Sequence, residues 1–192
     1  MDTSTPPVPA ARTAGASIED RLSDQLAAVV ATARRRASRG GDRDIDTAHL
    51  LHSLLESDPV VRAFLGGGGS LTAKLLGYLA QRSIGYGLRW RHSVEDAGGP
   101  GAGGVDAGPL PGWSPAATRA MEVALDCVRA RCAERADGID LFAGLVADAE
   151  CRAAEVLRTG GVDVRGIATG LGVRRSGGQG PPAGVGCQGY KR

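Results

Sequence analysis

The chain has 192 residues, 42% of them hydrophobic and 23% charged, enough apolar material for one domain or two small ones. A net charge of +2 argues against a dedicated nucleic-acid binder, whose basic excess is larger and clustered. The lack of any run of about 18 apolar residues argues against a transmembrane helix.

Aromatics make up only 4% of the chain, so a core has to be built from Ala, Leu and Val. The 30 glycines have to fall in linkers and tails, because glycine weakens a helix interior. Residues 1–16 have no apolar stretch and no basic start, so they do not read as a secretory signal and are predicted to be disordered. The first periodic run follows Ser23. Leu26, Val29, Val30, Ala33 and Ala37 recur at helical spacing. Ser23 is a good N-cap, and Asp24 suits the positive end of the helix. A short apolar helix is predicted behind Asp46, with Leu50, Leu51, Leu54 and Leu55. Val60 to Leu65 reads as a third helix and Gly66 to Gly69 as a break. Leu71 to Ile84 reads as a fourth helix, with Leu71, Leu75, Leu76 and Leu79 on one face. Residues 93–112, rich in Gly and Pro, read as a flexible linker.

A shift of 91 residues carries this first block onto the second. Leu22-Ser23 falls on Trp113-Ser114, where Pro115 is well placed at the first helical position. The apolar stripe falls on Ala117, Ala120, Met121, Ala124 and Val128. The run behind Asp46 falls on Leu141, Phe142, Leu145 and Val146 behind Asp137. With a shift of 92, Val60–Leu65 falls on Arg152–Leu157. A break at Gly160-Gly161 and a shorter fourth stretch, Val162 to Leu171, complete the second block. Such self-similarity marks an internal repeat, here 17–92 and 113–171. Strand-type alternation is nearly absent. The expected fold class is therefore all-α, a tandem pseudo-twofold repeat of about four helices each. Each block is marginal alone, so the stripes Leu26/Val30/Ala33 and Met121/Ala124/Val128 are expected to pack face to face. Residues 172–192 read as a tail dispensable for folding.

These residues carry a resemblance. The start of each block is similar to the repeat starts of the Clp amino-terminal domain family, found at the front of Clp/Hsp100 unfoldases. Ile45-Asp46-Thr47-Ala48-His49-Leu50-Leu51-His52-Ser53-Leu54-Leu55 resembles the family's I-G-T-E-H-L-L-x-x-L-L. Arg152 to Val162 resembles V-A-A-x-V-L-x-x-L-G-V. The likeness spans 22–171, although Gly138, Ile139 and Asp140 replace the second T-E-H. It implies a non-catalytic module with protein or peptide partners: Clp unfoldase components, their substrates, or cyclic-peptide ligands. Such a module acts as adaptor, competitor or ligand sink in Clp-dependent proteolysis. Family members usually continue into ATPase modules. No phosphate-cradling G-x-x-x-x-G-K-[ST] loop occurs here, so the chain is not expected to be a motor.

Some members of the family bind phosphorylated arginine. The resemblance implies one site per repeat, built from the early Ser or Thr hydroxyl and the Glu of the T-E-H motif. Ser23 and Ser114 keep the hydroxyl, but Ala48 and Ile139 stand where the Glu belongs. Ser23, Ala48 and Ser114 are the candidate ligand- or partner-binding residues. Phosphoarginine binding is expected to be weak or absent, which leaves an apolar inter-repeat surface for partners. No catalytic residue, cofactor or metal is expected: His49 and His52 are too few to close a metal site, and no nucleophile–base pair is apparent. His49 reads as the family's structural histidine. Cys127, Cys132, Cys151 and Cys187 form no C-x-x-C pair. They read as reduced, the first three as small packing residues, in a cytoplasmic protein. Arg34, Arg35, Arg36, Arg39 and Arg43 form the densest basic cluster, at a helix end whose dipole favours cations. The alternative function rests on that cluster: an all-α nucleic-acid-binding regulator.

Overall fold

The computed structural model describes residues 20–66, 68–84 and 112–173. The expected segment 1–16, the linker 93–112 apart from Gly112, and the tail apart from Gly172 and Val173 lie outside the described residues. Eight helices and two very short strands are present among the described residues.

Local capping chemistry sets where most helices begin. Helix α1 (Asp24–Gly40) starts at Ser23, whose hydroxyl accepts from the Leu26 amide at 3.2 Å. It ends at Gly41, whose φ of 69° suits a residue without a Cβ. Strand β1 (Asp44–Ile45) leads into α2 (Thr47–Ser57), capped by Asp46. In α3 (Pro59–Leu65), the Asp58 carboxylate accepts from the Val60 and Val61 amides at 2.8 and 3.1 Å. Helix α4 (Gly68–Ile84) starts earlier than the sequence predicts, inside the glycine run. The second repeat follows the same plan: β2 (Gly112–Trp113), α5 (Pro115–Ala130) behind Ser114, α6 (Gly138–Ala147) behind Asp137, α7 (Arg152–Gly160) and α8 (Val164–Gly170). Cys151 does more than fill space. Its Sγ accepts from the Ala154 amide at 3.4 Å and donates to the Leu145 carbonyl at 3.2 Å, so a thiol serves as the N-cap of α7.

The linker expectation needs one correction at its end. Gly112 belongs to β2, which pairs in parallel with β1 in the register Asp44–Gly112 and Ile45–Trp113. An isolated parallel bridge joins Leu22 to Ala136. The shift of 91 carries Leu22 onto Trp113 and Ile45 onto Ala136, so the two contacts are pseudo-twofold mates. The Ser23 amide donates to the Ala136 carbonyl at 2.8 Å, and the Ser114 amide to the Ile45 carbonyl at 2.9 Å. Each repeat therefore lends its entry segment to the loop before the other repeat's second helix.

The packing also differs from the face-to-face expectation. Both stripes are buried in one continuous core, but α1 packs on α2 and α5 on α6, and the two first helices make no comparable contact with each other. The junction is formed by α2 against α5, α6 and α7, by α3 against α6, and by α4 against α7. A stripe facing its own second helix is satisfied within its own repeat. What remains to be buried is the opposite side of α2 and α6, and the partner repeat supplies that cover.

Close approach of α5 to α6 depends on Gly144, where an added Cβ would lie 2.0 Å from the Ala120 carbonyl oxygen. The matching residue in α2 is Ser53, fully buried, whose hydroxyl has no hydrogen-bond partner among the described residues. A buried unsatisfied hydroxyl costs about 1–3 kcal/mol. Ser53→Ala is expected to raise the urea midpoint, whereas Gly144→Ala lowers it by forcing α5 and α6 apart. A fall in the midpoint for Ser53→Ala would mean that the hydroxyl is satisfied in solution.

Candidate functional site at the junction of the repeats

The polar heart of the junction is Asp46, which is 5% exposed. Its Oδ1 accepts from the His49 amide at 2.7 Å and caps α2. Its Oδ2 accepts from Arg152 Nη1, at the start of α7 in the other repeat, at 2.5 Å. Beside this pair, Thr47 Oγ1 accepts from the Ala153 amide at 3.0 Å, so a first-repeat hydroxyl satisfies one of the unpaired amides opening α7. The His49 ring lies between two carboxylates, with Nδ1 at 2.8 Å from Asp46 Oδ1 and Nε2 at 3.2 Å from Asp42 Oδ2. Burial opposes charge on His49, but the hydrogen bonds to Asp42 and Asp46 outweigh it and push the pKa up to about 9. Burial likewise raises Asp46, but the bonds and charge of His49, helped by Arg152, hold it down at about 2.

The pseudo-twofold mate of this cluster is built differently. Asp137 caps α6 by accepting from the Ile139 and Asp140 amides at 3.0 and 3.2 Å. Asp140 stands at the place of His49, accepts from the Asp137 amide at 3.0 Å and pairs with Arg131. Burial raises the Asp140 pKa, against the pull of the Asp137 amide and the Arg131 charge and with the push of the Asp137 charge. Gly138 stands at the place of Thr47. An added Cβ there would lie 1.8 Å from Asp58 Oδ2. One half of the junction is thus closed by a cross-repeat ion pair, the other by a glycine that admits the Asp58 carboxylate.

The three candidate residues are placed by this exchange. Ser114 is 1% exposed, and its hydroxyl accepts from the Ala117 amide at 3.1 Å. Its own amide binds Ile45, so Ser114 lies beside the start of α2, where Ala48 is also buried. Ser23 lies beside Ala136, next to the start of α6. It is not beside Ala48, because the 17 residues of α1 separate the two ends of that helix by about 25 Å. A serine and a T-E-H-like motif therefore meet across repeats: Ser114 with Asp46–Ala48, and Ser23 with Asp137–Ile139.

The other candidates disperse. His52 turns to Glu56, with Nε2 at 3.4 Å from Oε1. Burial and the Arg36 charge push its pKa down to about 4. Among the described residues, no group of three or more His, Cys, Asp or Glu is placed to hold a metal. Within the basic cluster, Arg36 pairs with Glu56, Arg35 donates to Thr32 Oγ1 at 2.7 Å, and Arg39 donates to the Arg35 carbonyl at 3.3 Å. No described helix is long and apolar enough to cross a membrane. The sequence reading missed the Asp46–Arg152 pair. Its trace is visible in hindsight: an arginine opens an otherwise apolar helix start at the place held by Val60 in the first repeat.

The fold is similar to that of the N-terminal domain of the caseinolytic protease associated chaperone ClpD from Arabidopsis thaliana. The TM-score is 0.53 at 18% identity, covering 85% of this chain and 99% of that one. It is also similar to a chain solved in structural investigations of a malarial protein secretion system, with a TM-score of 0.55 at 17% identity, covering 79% of this chain and 92% of that one. No protein-family model matches the chain, and no curated protein matches it in sequence. The chain thus has a Clp N-terminal-domain-like fold, all-α and doubled.

The junction should report on pH. His49 is raised from 6.5 to about 9, so its contribution to stability is full below pH 6.5 and is lost as pH rises towards about 9. Asp46 is lowered from 3.8 to about 2, so its contribution is full above pH 3.8 and is lost as pH falls towards about 2. Urea midpoints are expected to decline across the alkaline window and to lose that decline in His49→Gln. An unchanged slope in the variant would remove His49 from the junction's electrostatics. Arg152→Ala, which removes the partner of Asp46 Oδ2 but leaves His49 on Oδ1, is expected to cost about 1–3 kcal/mol.

Proposed function

We propose that this chain is a non-catalytic binding module in Clp-dependent proteolysis, acting in the cytoplasm as adaptor, competitor or ligand sink. Its partners are proteins or peptides: Clp unfoldase components, their substrates, or cyclic-peptide ligands. The observation that carries this reading is the doubled four-helix architecture, which aligns with nearly the whole of a Clp chaperone N-terminal domain. Commitment of Arg36 to Glu56 weakens the case for a nucleic-acid regulator. Pull-down from native lysate with this chain as bait tests the proposal. Enrichment of Clp subunits is the expected result. Duplex DNA binding with a steep salt dependence and no Clp enrichment would favour the alternative.

Phosphoarginine is not the ligand under this reading. The guanidinium of such a ligand would need a carboxylate where Ala48 stands, a charge-assisted bond worth about 1.5–3 kcal/mol. The phosphate would need free helix-start amides beside a hydroxyl, but the Ser23 and Ser114 hydroxyls already take up the Leu26 and Ala117 amides, and Ser114 is buried. Calorimetric titration is expected to show no low-micromolar binding of phosphoarginine, and Ala48→Glu is expected to leave that unchanged. A low-micromolar dissociation constant for the unaltered chain would overturn this.

A further inference from the structure

The two repeats leave matching helices unequally covered. Helix α7 is overlaid by α4, which crosses from the first repeat and packs on it. Leu75 reaches Gly160, where an added Cβ would lie 2.4 Å from Leu75 Cδ2, and Lys74 Nζ donates to the Gly160 carbonyl at 3.1 Å. The twofold mate of α4 is α8, only 7 residues long against 17. It packs on α6 and α7 and makes no comparable contact with α3. The mate of α7, α3, packs on α2, α6 and the flank of α4 but lacks the corresponding overlay among the described residues. Phe64 is 44% exposed where its mate Val156 is 0% exposed, and Val60 is 61% exposed, while its mate Arg152 is buried against Asp46, the cap of α2.

This bare side is continuous with an interface the fold already uses. The Phe64 ring meets that of Phe142 in α6 edge-to-face, with centroids 6.1 Å apart. One side of Phe64 thus belongs to the junction, and the rest of the ring is presented to solvent. On the other flank of α3, a groove of about 440 Å³ runs against α4, lined by Arg62, Ala63, Gly69, Thr72, Ala73 and Leu76. Arg62 is the one charged side chain lining it. The guanidinium is anchored, with Nη1 donating to the Leu55 and Glu56 carbonyls at 2.9 and 2.8 Å, so its positive charge is held at a fixed place.

We propose that the bare side of α3, from Val60 and Phe64 across Ala63 to the Arg62-lined groove, docks an amphipathic helix of a protein partner. Within the chain, α4 shows what such a cover looks like: leucines four residues apart, Leu71, Leu75 and Leu79, laid across a short helix. The partner helix carries that apolar spacing and, facing Arg62, a carboxylate. Recognition is of the helix-in-groove kind, with anchors at i, i+4 and i+8. A single face of this size gives modest affinity and relies on central aromatic anchors. This inference rests on the binding role proposed above and names the surface and the chemistry of the partner.

The probe is a fluorescent peptide of residues 68–84 carrying Lys74→Glu, titrated into the full chain and followed by anisotropy. Saturable binding is expected, about tenfold or more weaker in Val60→Asp and in Ala63→Glu; both replace exposed side chains, and folding is checked by circular dichroism. The peptide with Lys74 retained is expected to bind more weakly, because it brings a cation in place of a carboxylate to a face whose groove is lined by Arg62. No saturable binding overturns the proposal. So does binding insensitive to both variants, since the peptide would then be displacing the chain's own α4. Sedimentation equilibrium adds one more outcome: a dimer abolished by Val60→Asp assigns the face to a second copy and overturns the partner assignment. Enrichment of Clp subunits from lysate with unchanged yield in Val60→Asp would leave the binding role standing and sink this surface alone.

Discussion

The exchange of entry segments is the constraint on which the rest of the structure hangs. Leu22 bridges to Ala136, and Ile45 pairs with Trp113. These contacts are too short to count as a sheet, but they fix where each first helix begins relative to the other repeat's second helix. Once Ser23 and Ser114 are bound to carbonyls across the junction, the helices they cap are aimed. Helix α1 must then run along α2, and α5 along α6, and the remaining faces of α2 and α6 meet near the centre. A core made mostly of Ala, Leu and Val with few aromatics offers shallow relief. Backbone bridges supply register that such side chains specify poorly.

Topological symmetry has not produced chemical symmetry. At the place where Thr47 offers its hydroxyl to the opening of α7, Gly138 offers space to Asp58. Where His49 spans two carboxylates, Asp140 pairs with Arg131. Asp140 completes a capping box by accepting from the Asp137 amide, whereas charged His49, a donor at both ring nitrogens, turns them to Asp46 and Asp42. The same helical position thus carries opposite charge in the two repeats. The half containing His49 and Arg152 brings two cations to one buried carboxylate. The half containing Asp140 brings two carboxylates together against one arginine. A ligand bridging the two halves would meet unlike surroundings at its two ends, so the domain is twofold in backbone but not in recognition.

Sequence reading reached the helices and their caps because those are local. Ser23, Asp46, Ser114 and Asp137 are oxygen-bearing side chains just before apolar periodic runs, and each caps the helix it was expected to cap. Cys151 escaped as a cap because a thiol is a weak acceptor and packing is its commoner use. The bridges escaped because two-residue strands leave no alternation to detect. The Asp46–Arg152 pair joins residues 106 apart, and no local pattern links them. At the candidate site, the residue types were legible, but the partnership was not. Ser114 belongs with the first repeat's α2 and Ser23 with the second repeat's α6, because a helix of about 25 Å carries its cap away from the motif that follows it.

A buried ion pair seldom adds stability over well-packed apolar groups of the same size, since desolvation consumes most of the Coulombic gain. Its value at this junction lies in what it forbids. An α2–α7 contact built only from Ala, Leu and Val tolerates displacement by a helical turn at little cost in buried area. Displacement here leaves Asp46 without Arg152 and the Ala153 amide without Thr47, two unsatisfied buried groups at once. The charge on His49 sharpens the penalty, because it keeps Asp46 ionised and therefore dependent on its partners. Helix α7 is then held in one position, and with it the platform on which α4 lies. The unequal cover of α3 and α7 goes with that arrangement: α4 lies across α7 and only flanks α3, leaving Val60 and Phe64 exposed among the described residues.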